Sequence, residues 1–198
     1  MNVAHFLTLM RIVLIPLFPV IYLGYESIGI SEILVPYFLL IILAICEISD
    51  LIDGYWARKK GMVTDLGKVL DPMADSITHI AVFFTFSQGW VSIPILLVFV
   101  FLYREFLINT LRTLCALKNY ALAARKSGKA KSVIQAVVSI FIVILMIPYT
   151  LGYLSLSALR LVSLIAISLS AVYTIITAVE YMYVNKEYII KSFERKKH

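Results

Sequence analysis

Residues 33–58 read ILVPYFLLIILAICEISDLIDGYWAR and join two properties in one segment. The beginning is a continuous apolar run, and the segment as a whole is long enough to cross a bilayer as a helix, which needs about 20 apolar residues. The end carries Asp50 and Asp53, whose charges are costly at membrane depth. The segment therefore predicts a membrane helix that presents carboxylates at one end.

The composition of the whole chain is that of an integral membrane protein. Of its 198 residues, 61% are apolar and 15% are charged, whereas typical soluble domains have about 45–50% and about 25%. The mean hydropathy is +0.92. These values exclude a soluble globular protein and leave no length for a large domain outside the membrane. We expect one compact membrane domain over residues 1–198.

Long apolar stretches predict an all-α bundle of six transmembrane helices. Gly, Pro and Asn residues stand at several of their ends. Pro16, Pro19 and Pro148 lie within or near apolar runs, where we expect them to bend helices. The predicted helices cover residues 6–24, 33–58, 65–88, 91–117, 129–150 and 157–184.

The net charge of +6 comes from basic residues that are concentrated on alternate connections. Residues 58–60, 118–131 and the tail from 186 are rich in Lys and Arg, whereas residues 25–32, 89–91 and 151–157 contain none. The positive-inside rule then places both termini in the cytoplasm. This placement favours anionic lipid and phosphorylated substrates over nucleic acid. Since no targeting segment is evident, we expect a multi-pass protein of the plasma membrane.

Aromatic side chains near the predicted helix ends fit the belts that anchor membrane proteins at the lipid–water interface. We predict this anchoring role for all of them. The set includes Tyr22, Tyr25, Tyr37, Trp56, Trp90, Tyr149, Tyr153, Tyr181 and Tyr183.

Four aspartates are spaced so that they can meet. Asp50 and Asp53 are three residues apart at the end of the second predicted helix, and Asp71 and Asp75 are four apart at the start of the third. Each spacing puts its pair on one helical face. The short loop at 59–64 makes the two helices antiparallel neighbours. The carboxylates are therefore expected to converge at the cytoplasmic end of the bundle.

Such a cluster needs cations to offset its charge. Carboxylate oxygens suit Mg²⁺ or Mn²⁺, and two such ions about 4 Å apart are a common arrangement for phosphoryl transfer. Gly54 and Gly67 would let a phosphate or nucleotide approach the helix backbone closely, and Arg58 can bind phosphate oxygens with its planar guanidinium. A divalent-cation transporter would also use carboxylates inside a membrane.

The residues from Asp50 to Asp75 fit the pattern D-x2-D-G-x2-A-R-x8-G-x3-D-x3-D without a mismatch. This pattern resembles the signature of the CDP-alcohol phosphotransferase family. The resemblance implies a six-helix membrane enzyme, usually a homodimer, that binds a CDP-linked substrate and two divalent cations in a polar cavity facing the cytoplasm and releases CMP. It implies that all four aspartates bind metal, that Asp71 and Asp75 are catalytic, and that Asp75 is the general base. The implied CDP contacts are Asp50, Gly54, Ala57, Arg58 and Gly67.

Basic residues outside the signature point to the acceptor. Arg104 and Arg112 interrupt an apolar helix, where they are costly, and Glu105 could orient one of them. Lys129 and Lys131 lie in the next connection. A dianionic headgroup needs such cations, whereas serine or a neutral polyol does not. These segments also resemble family members that use glycerol 3-phosphate.

We therefore expect transfer of the phosphatidyl group from CDP-diacylglycerol to glycerol 3-phosphate, with Arg104, Arg112, Lys129 and Lys131 binding the acceptor phosphate. Inositol phosphate, serine or another alcohol could accept the group by the same chemistry. The pattern is also compatible with cation transport and with lipid binding without turnover. His79, one turn beyond Asp75, is expected to pack between helices, with a supporting role beside Asp75 as the alternative.

Overall fold

The computed structural model describes residues 3–60, 65–117 and 126–193, although several side chains, among them those of 53–60 and 65–72, lie outside the description. Within these ranges every regular element is helical, so the all-α prediction is confirmed for them. The α-helices are α1 (Val3–Leu14), α2 (Leu17–Ile28), α3 (Val35–Lys60), α4 (Asp65–Phe86), α5 (Ile95–Leu117), α6 (Lys126–Thr150), α7 (Leu156–Val184) and α8 (Lys186–Phe193), and a short 3-10 helix at Glu32–Leu34 precedes α3.

The prediction of one helix over residues 6–24 is wrong, because the chain forms α1 and α2 there. Pro16 separates the two helices, since proline lacks a backbone N–H and its ring clashes with the preceding turn. The last bond of α1 runs from the Ile15 amide to the Arg11 carbonyl at 2.9 Å. The Phe18 amide then bonds to the Ile15 carbonyl at 3.0 Å.

Four described segments are long and apolar enough to cross a membrane: Thr8–Ile28, Glu32–Asp50, Gly128–Thr150 and Leu156–Val184. The apolar part of α4, Met73–Phe86, is shorter. The chain is thus a multi-pass membrane protein. The predicted count of six crossings stays a prediction.

The interior of the bundle is built on contacts between helices that are distant in sequence. The pair α1 and α2 packs against α3 and α4, while α7 packs against both α5 and α6, and α6 also contacts α3. Their interface is filled by aromatic and branched side chains. Members that are at most 1% exposed include Phe18, Leu39, Leu43, Phe83, Phe86, Phe101, Ile142 and Met146.

The outward faces of the helices are also apolar. Leu96, Phe99 and Leu169 are each more than half exposed, which would be unfavourable in water. Acyl chains around the bundle would cover these faces, because lipid is as apolar as the side chains themselves.

An aromatic cluster closes the end of the bundle where α2 meets the turn after α4. Tyr22 is 2% exposed, and its ring lies edge-on to Trp90 with 5.5 Å between ring centroids. The Val91 amide donates to the Tyr22 hydroxyl at 3.0 Å, and Arg160 Nε donates to the Trp90 carbonyl at 3.0 Å. Tyr22 is therefore a core residue, and the prediction that it anchors at the lipid surface is wrong.

We expect Gly89→Ala to destabilise the protein by about 1–3 kcal/mol, because a left-handed backbone is strained in any other residue. Gly89 has a φ of +65°, and an added Cβ would lie 2.8 Å from Tyr22 Cε1. Thermal unfolding in detergent measures the effect. Gly24→Ala is the matched control, since its nearest neighbour would be Ile28 Cδ1 at 3.8 Å. Equal unfolding temperatures for Gly89→Ala and wild type would contradict the prediction.

Candidate active site

Asp75 lies near the start of the apolar part of α4, and both of its carboxylate oxygens have contacts. Ser132 Oγ, from α6, donates to Oδ2 at 2.7 Å. His79 Nε2, one turn further along α4, lies 3.1 Å from Oδ1. Each oxygen of the carboxylate thus has its own partner. The two contacts fix its orientation while its side chain stays 26% exposed.

A second carboxylate, Glu105 on α5, is the centre of a buried ionic cluster. Its Oε1 accepts from Arg104 Nη1 at 2.9 Å and from Lys131 Nζ. Its Oε2 accepts from Ser76 Oγ at 2.8 Å. The three charged residues are each less than 9% exposed. Because two cations share one anion, the cluster carries a net positive charge.

The two carboxylates belong to one network. Asp75 and Ser76 are adjacent on α4, and Lys131 and Ser132 are adjacent on α6. Ser132 reaches Asp75 directly, whereas Lys131 and Ser76 meet through Glu105. The network therefore connects α4, α5 and α6 at the end of the bundle where the sequence places the carboxylates.

Asp50, on α3, binds a residue of the first helix. Arg11 Nη1 donates to Asp50 Oδ1 at 2.7 Å. The Arg11 side chain is 2% exposed and that of Asp50 is 44% exposed. Since α1 packs against both α3 and α4, Arg11 brings a buried positive charge to the junction of the two helices that carry the signature.

The other signature positions lie where the structure describes helical backbone but no side chains. Asp53, Gly54, Ala57 and Arg58 belong to α3, and Gly67 and Asp71 belong to α4. Their predicted metal and CDP contacts lie outside the described residues. Among the described side chains, no group of three or more His, Cys, Asp or Glu is arranged to hold a metal.

The four predicted acceptor residues have different surroundings. Arg104 and Lys131 both bind Glu105. The bond to Arg104 is the expected pairing of Glu105 with one of the two arginines. Arg112 lies over the ring of Tyr181 on α7, with 5.8 Å from Cζ to the ring centroid. Lys129 is exposed. The structure thus brings two of the four together with Asp75.

The sequence does not single out three residues of this region, Arg11, Ser76 and Ser132, as participants. His79 is buried as expected of a packing residue, and it also contacts Asp75, as the alternative prediction for it requires. Ser76 and Ser132 neighbour predicted site residues, and that adjacency was their only signal. Arg11 did carry a usable signal, because a lone arginine in an apolar run is costly and marks a function by default.

Comparison with known proteins gives consistent matches over most of the chain. A family model described as CDP-alcohol phosphatidyltransferase matches residues 1–179. Relatives named "CDP-diacylglycerol--glycerol-3-phosphate 3-phosphatidyltransferase" include one from Bacillus subtilis, 36% identical over 66% of this chain and 70% of its own length. Others come from Rickettsia felis, 31% identical, and Rickettsia bellii, 32% identical, each over 94% of this chain and 97% of the relative.

Proposed function

This chain belongs to the CDP-alcohol phosphatidyltransferase family, and on that premise we propose that it transfers the phosphatidyl group of CDP-diacylglycerol to glycerol 3-phosphate. It is a membrane transferase of phospholipid biosynthesis. The products of the proposed reaction are phosphatidylglycerol phosphate and CMP. The family assignment favours this chemistry over the transport of divalent cations.

The observation that carries the proposal is that a carboxylate and a cationic pair belong to one network of hydrogen bonds. Asp75 is one residue from Ser76, which binds the same Glu105 as Arg104 and Lys131. Among the residues that the structure describes, Arg104 Nε has no hydrogen-bond partner. A phosphorylated alcohol could therefore place its phosphate near the cations and its hydroxyl near Asp75.

Asp75 would act as the general base. Its carboxylate takes the proton of the acceptor hydroxyl, and the resulting oxygen attacks the phosphorus that bears the diacylglycerol. The bond from that phosphorus to the CMP oxygen breaks, and CMP leaves. Ser132 and His79 hold the base in place, which matters because phosphoryl transfer depends mainly on positioning and charge stabilisation.

Divalent cations fit this donor set. Asp50 and Asp75 offer only oxygen atoms, which Mg²⁺ and Mn²⁺ prefer, and Asp50 remains 44% exposed although Arg11 binds one of its oxygens. With Asp53 and Asp71 as further ligands, the aspartates would hold two cations whose charge neutralises the pyrophosphate. Members of the family generally depend on divalent cations.

The proposal assigns the CDP moiety to the signature segments of α3 and α4. Asp50, Gly54, Ala57, Arg58 and Gly67 would contact it, with the two glycines allowing close approach to the backbone. The acyl chains would lie along the apolar outer faces of the helices, so the substrate enters laterally from the lipid. Lys129 and Arg112 would complete the acceptor site.

The proposed topology follows from the charges of the connections. Six crossings, with α1 and α2 forming one of them, put both termini and a polar cavity around Asp75 on the cytoplasmic side. The plasma membrane is the proposed location. The single domain of 1–198 would act as a homodimer, a state supported by the family resemblance.

An acceptor assay tests the proposal. Purified protein is incubated with CDP-diacylglycerol, Mg²⁺ or Mn²⁺, and one acceptor at a time: glycerol 3-phosphate, inositol phosphate, serine or glycerol. We expect CMP and phosphatidylglycerol phosphate with the first acceptor. A lipid product with another acceptor alone would reassign the substrate, and binding without CMP release would exclude turnover.

Removal of divalent cations is expected to abolish CMP release. Treatment with EDTA should stop the reaction, and added Mg²⁺ or Mn²⁺ should restore it, because the uncompensated carboxylates would repel the pyrophosphate. CMP release at a fixed concentration of both substrates is the measurement. Full activity in excess EDTA would contradict the two-cation site.

A further inference from the structure

Tyr181, near the end of α7, lies inside the bundle and not at its surface. It is 4% exposed, and its ring faces the Arg112 guanidinium of α5 at 5.8 Å. The helices α5 and α7 pack against each other, which brings the two side chains together. The prediction that Tyr181 belongs to an interfacial belt is therefore wrong. The residue also lies just beyond the 1–179 match of the family model.

The contact uses the ring face and not the hydroxyl. Within the described part of the chain, the buried Tyr181 hydroxyl and Arg112 Nε both lack a hydrogen-bond partner. A cation within about 6 Å of an aromatic centroid is attracted by the electron density of the ring face. The attraction grows when the two groups are shielded from water, as the Tyr181 ring and Arg112 Nε are here.

Arg104 has a charged partner, whereas Arg112 has an uncharged one. Glu105 holds Arg104 with a carboxylate, which cancels a unit of charge. The ring of Tyr181 carries no charge, so it can orient Arg112 and leave its positive charge intact. A dianionic phosphate gains most from a cation that is fixed in place but not neutralised.

We propose that Tyr181 is a positioning residue for the acceptor: its ring holds Arg112 in the orientation that binds the phosphate of glycerol 3-phosphate. This inference rests on the proposed function, since it takes Arg112 as a phosphate ligand. Tyr181 itself touches neither the reacting oxygen nor the phosphorus. Its contribution is to acceptor binding and not to the chemical step.

Substitutions that distinguish the contribution of the Tyr181 ring from that of its hydroxyl test the proposal. Tyr181→Phe keeps the ring, so we expect the KM for glycerol 3-phosphate to stay at the wild-type value. Tyr181→Met keeps an apolar side chain without a ring, and we expect that KM to rise roughly 3- to 10-fold, the value of one desolvated cation–π contact. The KM for CDP-diacylglycerol should not change, whereas a general loss of structure would change that KM as well.

A nearly isosteric series covers the case in which Tyr181→Met does not fold. Phenylalanines with increasing numbers of ring fluorines are introduced at position 181, since fluorine withdraws electron density from the ring face. The KM for glycerol 3-phosphate should rise with each added fluorine. A flat series, or a rise in KM with Tyr181→Phe equal to that with Tyr181→Met, would overturn the role of the ring.

A double variant tests whether Tyr181 acts on acceptor binding through Arg112. In an Arg112→Leu background, Tyr181→Met should cause no further rise in the KM for glycerol 3-phosphate, because the interaction is already lost. An undiminished effect in that background would overturn the proposal. Failure of the wild-type protein to use glycerol 3-phosphate would instead refute the proposed function, so the two failures are distinguishable.

Discussion

Replacement of Asp75 by Asn is expected to reduce CMP release by about 10²–10⁴-fold, the usual contribution of a general base. The amide has nearly the shape of the carboxylate, and its oxygen can still accept the Ser132 hydroxyl that now bonds to Oδ2 at 2.7 Å. Because it is uncharged, the amide can neither take a proton from the acceptor nor offer the cations a charged ligand. CMP release with saturating glycerol 3-phosphate measures the effect.

The control for this variant is Glu32→Gln, an exposed carboxylate in the 3-10 helix that precedes α3. It makes the same chemical change far from Asp75 in sequence and should leave turnover unchanged. Thermal unfolding and CDP-diacylglycerol binding of Asp75→Asn should both be largely retained. Turnover near the wild-type rate in purified, folded Asp75→Asn would exclude Asp75 as the base.

Replacement of Glu105 by Leu is expected to cause the largest loss of stability, about 3–5 kcal/mol. Loss of one partner from a buried ionic cluster leaves a charge that water cannot solvate. Here Arg104 and Lys131 would both lose their shared anion, and Ser76 its acceptor. Unfolding by heat or denaturant in detergent provides the measurement.

Two further variants identify the cause of that loss. Lys131→Met in the Glu105→Leu background removes one of the stranded cations and should recover part of the lost stability. Glu187→Leu, at an exposed position of α8, should change the stability by less than about 0.5 kcal/mol. A Glu105→Leu protein as stable as wild type would show that the cluster is not a stabilising unit.

The positions of the charged residues could be predicted from the sequence, but most of their partners could not. Asp75, Arg104 and Glu105 interrupt apolar segments, and the cost of such interruptions singles them out. Which side chains face them depends on how each helix is rotated about its axis. The apolar pattern of α6 leaves that rotation open, because lipid and the protein interior favour the same side chains.

The aromatic residues show the same limit. Tyr22 and Tyr181 have the sequence pattern of interfacial anchors, yet both are buried by neighbouring helices. A tyrosine near a helix end fits either environment, since its ring is apolar and its hydroxyl is polar. The break at Pro16 was predictable as a bend, whereas the separation into α1 and α2 depends on the local bonds around Ile15.

The link from Ser132 to Asp75 spans 57 residues of chain, and that from Lys131 to Glu105 spans 26. A ribosome therefore completes α4 and α5 before it makes the hydroxyl and the ammonium group that these carboxylates require. Until α6 is made, Asp75 and Glu105 are without those partners. The surroundings of the two carboxylates are therefore completed only when α6 packs against helices that were made before it.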